Sequence, residues 1–240
     1  MSILDTLRPL PDLRVLVTGG ANGVGATIAR AFHEAGARVH VCDIDRSALD
    51  RLHAQVPGIT GSMADASVES DVDMVFDDLR GALGGLDVLV SNAGISGPTG
   101  AIEDVDRRAW ERTVAVNLHS QYYFAHRAIP LLRGSPAGAN LIAIGSRSMS
   151  TTLGFRSAGV STRWAVLGFV KSLASELGPE GIRVNAILAV AGESSLPSNG
   201  PATDVAGLAL FLCSPAARHL TGQIIGLGVP AERSHERGHR

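Results

Sequence analysis

The 240-residue sequence is poor in several residue types, and each scarcity excludes something. It holds two cysteines, Cys42 and Cys213, at no metal-ligand or redox spacing, which predicts reduced thiols, a cytoplasmic setting and no metal site. Basic residues form no run and the formal net charge is -2, so a nucleic-acid partner is not expected. No apolar run approaches the ~20 residues that span a bilayer. The opening MSILDTLRPL carries Asp5 and Arg8 where a secretion signal has its apolar core, so no membrane partner is expected either. Charged residues reach only 18% against 45% hydrophobic, which argues against disorder. Tyrosine is the most telling shortage. There are two, Tyr122 and Tyr123, side by side, so tyrosine chemistry elsewhere in the chain is excluded.

Glycine, in contrast, is abundant at 28 residues, a sign of tight turns and close backbone approaches. Apolar, β-branched strands are predicted at 14–18, 38–42, 59–63, 86–90, 141–144, 183–188 and 224–227. Helical periods fall between and after them at 24–35, 47–55, 68–83, 107–132, 158–177 and 202–212, with Ser67 as the expected N-cap of the third. Strands alternating with helices predict right-handed βαβ units and a doubly wound, Rossmann-type parallel sheet. With no linker or repeat, residues 1–230 read as a single domain and 231–240 as a polar tail.

The first strand runs into Thr18-Gly19-Gly20-Ala21-Asn22-Gly23-Val24-Gly25 and then a helix. Glycines at that junction let a pyrophosphate approach the helix N-terminus, where free N–H groups and the dipole favour an anion. Asp43 ends the second strand, about eighteen residues after Gly25. A carboxylate there accepts hydrogen bonds from adenosine ribose hydroxyls and repels a 2′-phosphate, which favours NAD over NADP.

Further along stand Ala64-Asp65 after the third strand, Ser91-Asn92-Ala93-Gly94 after the fourth and Asn117 in VNLHS. Ser146 ends the fifth strand, and GIRVNAI occupies 181–187. With the glycine loop, these motifs make the chain resemble the short-chain dehydrogenase/reductase family over essentially its whole length. The resemblance implies that Ala64 and Asp65 border the adenine and that Asn92, Ala93 and Gly94 pass under the cofactor ribose. It also implies that Asn117 joins a proton relay, that Ser146 hydrogen-bonds the substrate oxygen and that the protein is a homodimer or homotetramer.

The family reaction moves a hydride between nicotinamide and an alcohol or carbonyl carbon. A tyrosine phenol handles the proton, and a lysine one helical turn on lowers its pKa. In the register set by Arg163-Trp164-Ala165-Val166, this chain has Gly159 at the tyrosine position and Arg163 at the lysine position. Glycine carries no proton and arginine stays charged, so the proton-transfer pair is absent. On a regular helix Tyr122 and Tyr123 point away from Asn117, whereas Gln121 and Phe124 share its face. The family substrate lid is also shortened, to 191–201, after Ala189-Val190 in place of Pro-Gly.

Three functions follow from this asymmetry. One is an NAD(H)-dependent oxidoreductase acting on an unknown small molecule, its proton coming from a water in the space left at Gly159 or from the substrate. Another is a non-catalytic NAD(H)-binding sensor or partner subunit. The third, a redox-neutral enzyme, fits least well because the glycine loop is intact.

Overall fold

A computed structural model describes residues 2–146, 154–189 and 201–227. A short helix α1 (Ile3–Thr6) precedes β1 (Arg14–Thr18), α2 (Gly23–Glu34), β2 (Arg38–Asp43), α3 (Arg46–Gln55) and β3 (Thr60–Met63). Then follow α4 (Glu69–Leu83), β4 (Val88–Ser91), α5 (Arg107–Val114), α6 (Ser120–Arg133) and β5 (Asn140–Ser146). The series closes with α7 (Ser157–Leu177), β6 (Arg183–Ala189), α8 (Pro201–Leu212) and β7 (Ile224–Gly226). The expected lid at 191–201, the tail at 231–240 and the side chain of Ser146 lie outside the described residues, apart from the backbone of Pro201 in α8.

All seven strands pair in parallel in the order β3-β2-β1-β4-β5-β6-β7, the predicted doubly wound sheet. Its strands are apolar on both faces because each face is covered. Val15 and Val17 join a buried cluster with α2, α3 and α8 on one side, while Leu16 joins α4, α6 and α7 on the other. The order reverses between β1 and β4, where consecutive crossovers leave on opposite faces and open a crevice at the strands' carboxyl ends.

Two local expectations are corrected. Ser67 does not cap α4, whose N-cap is Val68 with no side-chain hydrogen bond. Its hydroxyl donates to Asp65 Oδ1 at 2.7 Å and accepts from the Arg112 guanidinium, so its oxygen is turned to those groups and not to the first-turn N–H groups. The expected helix at 107–132 is interrupted by a π-helical turn at Ala115–His119, between α5 and α6. Angular counting therefore fails across Asn117. Even so, Tyr122 is half exposed with its ring 5.5 Å from that of His126, and Tyr123 packs at the margin of the core. Gln121 and Phe124 are buried.

At the other end of the sheet, His40 is buried on β2. Its Nδ1 lies 2.8 Å from Thr60 Oγ1 and its Nε2 2.9 Å from Ser62 Oγ, which donates to Asp78 Oδ2 at 2.5 Å. Burial pulls the imidazole down from 6.5 to about 4, against the opposing pull of Asp78. Between those values the unfolded chain binds more protons than the folded one, so stability rises with pH. Thermal unfolding followed by circular dichroism should show stability falling as pH drops from 6.5 toward 4, by about 3 kcal/mol in all from this group. His40→Gln, which cannot titrate, should flatten that part of the slope.

Candidate active site

The tips of β1 and β4 are tied by one pair of side chains. The Thr18 hydroxyl accepts the backbone N–H groups of Asn92 and Ala93, both at 2.9 Å. In return Asn92 Nδ2 donates to the carbonyls of Thr18 at 3.1 Å and Gly19 at 3.0 Å. The glycine loop is thus held against the segment after β4. Where it enters α2, a Cβ at Gly25 would stand 2.1 Å from the Gly19 carbonyl oxygen, so only glycine allows the helix to start this close to the loop. Asn22, the N-cap, is extended and makes no side-chain cap bond. The first-turn N–H groups of Gly23, Val24 and Gly25 are left for an anion, the Ala26 N–H already donating to the Asn22 carbonyl at 3.1 Å.

Beside this turn lies a cleft of about 250 Å³ whose walls include Gly19, Asn22, Asp43, Ala64, Asp65, Asn92, Ala93 and Gly94. Asp43 sits at its edge, its Oδ2 accepting from Ala21 N at 3.0 Å and its Oδ1 from Asp45 N at 3.1 Å. Two backbone donors fix the carboxylate and leave acceptor capacity on both oxygens. Asp65 is held by Ser67 N at 3.0 Å, the Ser67 hydroxyl and an ion pair with Arg112 at 2.8 Å. Burial works to raise the Asp65 carboxyl, but the Ser67 and Arg112 contacts outweigh it and hold it below the usual carboxylate range. An uncapped helix start at one end and a fixed carboxylate at the other suit a ligand with an anionic centre and hydroxyl groups. A nicotinamide dinucleotide fits the residues present.

The chemical end is built differently. Asn117 lies in the π turn and is buried. Its Oδ1 accepts from Ile95 N at 2.8 Å, and its Nδ2 donates to Ile95 O at 2.9 Å and to Thr162 Oγ1 at 3.1 Å. Its amide therefore ties the 94–97 segment to α7. That segment reaches α7 at Gly159, where a Cβ would stand 2.4 Å from the Ser96 carbonyl oxygen. The Cβ position of Gly159 is thus closed to any side-chain atom by the Ser96 carbonyl. The close approach is possible because a residue without a side chain lets the chain in. Gly97 turns there with φ +75°, against Thr113 and the Gly159 nitrogen.

Arg163 is half buried one turn beyond Gly159, at the lysine position. Burial, then the positive charge of Arg156, pulls its guanidinium below the usual arginine range. It stays a cation all the same. The chain's one lysine, Lys171, donates to the Gly222 carbonyl at 2.5 Å and stands two turns further along α7.

Sequence reasoning passed over Arg112 and Thr162 and read Ser67 only as a helix cap. Arg112 lies five residues before Asn117, and its recruitment to Asp65 depends on the packing of α5 over the β3 end, which no local spacing encodes. Thr162 was findable as a hydroxyl beside Arg163 on α7.

The fold and the cleft together define a dinucleotide-type crevice on an open parallel sheet. Comparison with known proteins narrows this class. The family model described as Enoyl-(Acyl carrier protein) reductase matches residues 19–193. A short chain dehydrogenase/reductase of Colletotrichum higginsianum is 35% identical over 179 residues, covering 72% of this chain and 66% of its own, just under two thirds. Human dehydrogenase/reductase SDR family member 4 is 29% identical over 93% of this chain and 89% of its own. Among solved structures, 3-ketoacyl-(acyl-carrier-protein) reductase from Brucella melitensis, complexed with NADH, superposes with a TM-score of 0.84 at 29% identity, over 91% of this chain and 97% of its own. The chain belongs to the short-chain dehydrogenase/reductase family of oxidoreductases.

An alanine replacing a glycine inside a helix ordinarily stabilises by up to ~1 kcal/mol. At Gly159 the sign should reverse, because the added methyl meets a backbone carbonyl that cannot rotate away. Denaturant unfolding of Gly159→Ala should show a loss of roughly 1–3 kcal/mol.

Proposed function

We propose that this protein binds NAD(H) in the crevice between β1 and β4 and does not carry out phenol-assisted carbonyl reduction. The observation that carries the second half is the Ser96 carbonyl packed against Gly159. Position 159 carries no side-chain proton donor, and the Ser96 carbonyl crowds the point where one would begin. The first half is supported by the Thr18–Asn92 tie, the uncapped start of α2 and the Asp43 carboxylate. Thr18, Gly19, Asn22, Gly23, Val24 and Gly25 would receive the pyrophosphate, Asp43 the adenosine ribose, and Ala64 with Asp65 the adenine. Asn92, Ala93 and Gly94 would support the second ribose, and Arg163 would supply a cation near it. Asp43 favours NAD over NADP by repelling a 2′-phosphate.

When bound, nicotinamide supplies or accepts hydride. A positioned acid or base typically contributes ~10²–10⁴ in rate, and this chain lacks one at position 159. The protein then serves as an NAD(H)-binding sensor or partner subunit, working as a homodimer or homotetramer in the cytoplasm. A second reading is favoured by Arg163, which keeps a cation at the lysine position. In it, hydride passes to a substrate that needs no proton from the protein, such as an iminium ion. Asn117 and Ser146 would then orient that substrate, without a proton relay between them.

Calorimetry should show NADH binding that is weakened at least about tenfold by Gly25→Ala, which displaces the glycine loop. Absorbance at 340 nm should stay constant with ketones and aldehydes. A loss of absorbance with imines alone would establish the second reading, and turnover of ketones would overturn the proposal. The double variant Gly159→Tyr with Arg163→Lys should remain inactive on ketones, because the Ser96 carbonyl occupies the first atom of the new side chain.

A further inference from the structure

Resting on the dinucleotide reading above, the geometry points to Arg112 as a determinant of which purine the cleft accepts. Asp65 and Arg112 both line the cleft and are paired at 2.8 Å, Arg112 Nη2 on Asp65 Oδ2. Ser67 takes the other carboxylate oxygen through its N–H and its hydroxyl, and Arg112 Nη1 donates to that same hydroxyl. A carboxylate has about four acceptor sites, so these contacts leave about one on Oδ2. A guanidinium has five N–H bonds, and its two contacts leave three.

The cleft therefore presents an acceptor and a donor side by side. Adenine offers the matching edge, an amino donor at position 6 and an acceptor at N1. Hypoxanthine offers the same pair in swapped order, an acceptor at O6 and a donor at N1. A lone carboxylate would favour the amino purine and repel the keto oxygen. With Arg112 beside it, either base finds a donor for its acceptor and an acceptor for its donor. Stacking does not separate the two, since both rings have the same size and shape. The change in their affinity ratio between wild type and variant consequently reads the edge contacts, since the desolvation of each base is common to both.

The test measures Kd for NADH and for reduced nicotinamide hypoxanthine dinucleotide by calorimetry, with no turnover needed. In the wild type the two should agree within about threefold. In Arg112→Met the hypoxanthine form should weaken at least about tenfold relative to NADH, as expected for loss of a charge-assisted hydrogen bond that leaves an unfavourable carboxylate contact. Arg112→Lys, which keeps a charged donor, should bring the ratio part of the way back. The Arg112 side chain is 45% exposed and lies outside the core, so thermal unfolding should confirm that both variants fold. A wild type that rejects the hypoxanthine form by tenfold or more overturns the inference without recourse to a variant. So does an Arg112→Met that weakens both ligands equally. If the wild type binds neither at millimolar concentration, the dinucleotide reading itself falls and takes this one with it.

Discussion

The crevice depends on a reciprocal hydrogen-bonded tie between two strand tips. The Thr18 hydroxyl receives two successive N–H groups from the chain leaving β4, and the Asn92 amide returns two donors to the chain leaving β1. Each partly buried backbone group left unpaired would destabilise by roughly 1–3 kcal/mol, so four such groups make a stiff joint. Stiffness matters because β1 and β4 are neighbours whose crossovers leave on opposite faces, and the sheet does not hold their loops together. The glycine loop can then lie against Asn92 and Ala93, and α2 can begin close enough for Gly25 to touch the Gly19 carbonyl. Remove the tie and the anion-facing turn loses its wall.

The same chain that leaves β4 also shapes the opposite end of the site. Residues 92–94 line the cleft, and two residues later Ser96 lies over Gly159. Between them Ile95 is held at both its N–H and its carbonyl by Asn117. A segment fixed at Asn92 by β1 and at Ile95 by the π turn has little freedom left at Ser96. The closure over Gly159 thus follows from contacts on either side of it, and the missing side chain makes room for it.

Much of this was legible in the sequence. Continuous apolar strands such as Arg14–Thr18 are unambiguous when both faces are covered, and the glycine loop announces its own turn by the conformations it requires. Glycine at the position that the resemblance gives to tyrosine was read from the flanking residues of α7. What stayed hidden was tertiary. The π turn at Ala115–His119 inserts a residue into an otherwise regular helical period, and periodicity cannot report it. Ser67 carried a capping signal, but its oxygen accepts from Arg112 on a distant helix instead. A glycine in a sequence likewise does not say what stands against its Cα, and here the Ser96 carbonyl does.

The cation at position 163 makes sense only once its two ordinary tasks are separated. One is to lower the pKa of a neighbouring phenol, and with glycine at 159 that task has no object. The other is to place positive charge and N–H donors beside a polar ligand, which a guanidinium does over a wider fork than an ammonium. Burial, and then the charge of Arg156, pulls the Arg163 guanidinium below the usual arginine range, and it remains a cation. A cation at position 163 leaves that second task possible on a helix whose residue 159 carries no proton. It gives no reason to expect proton transfer.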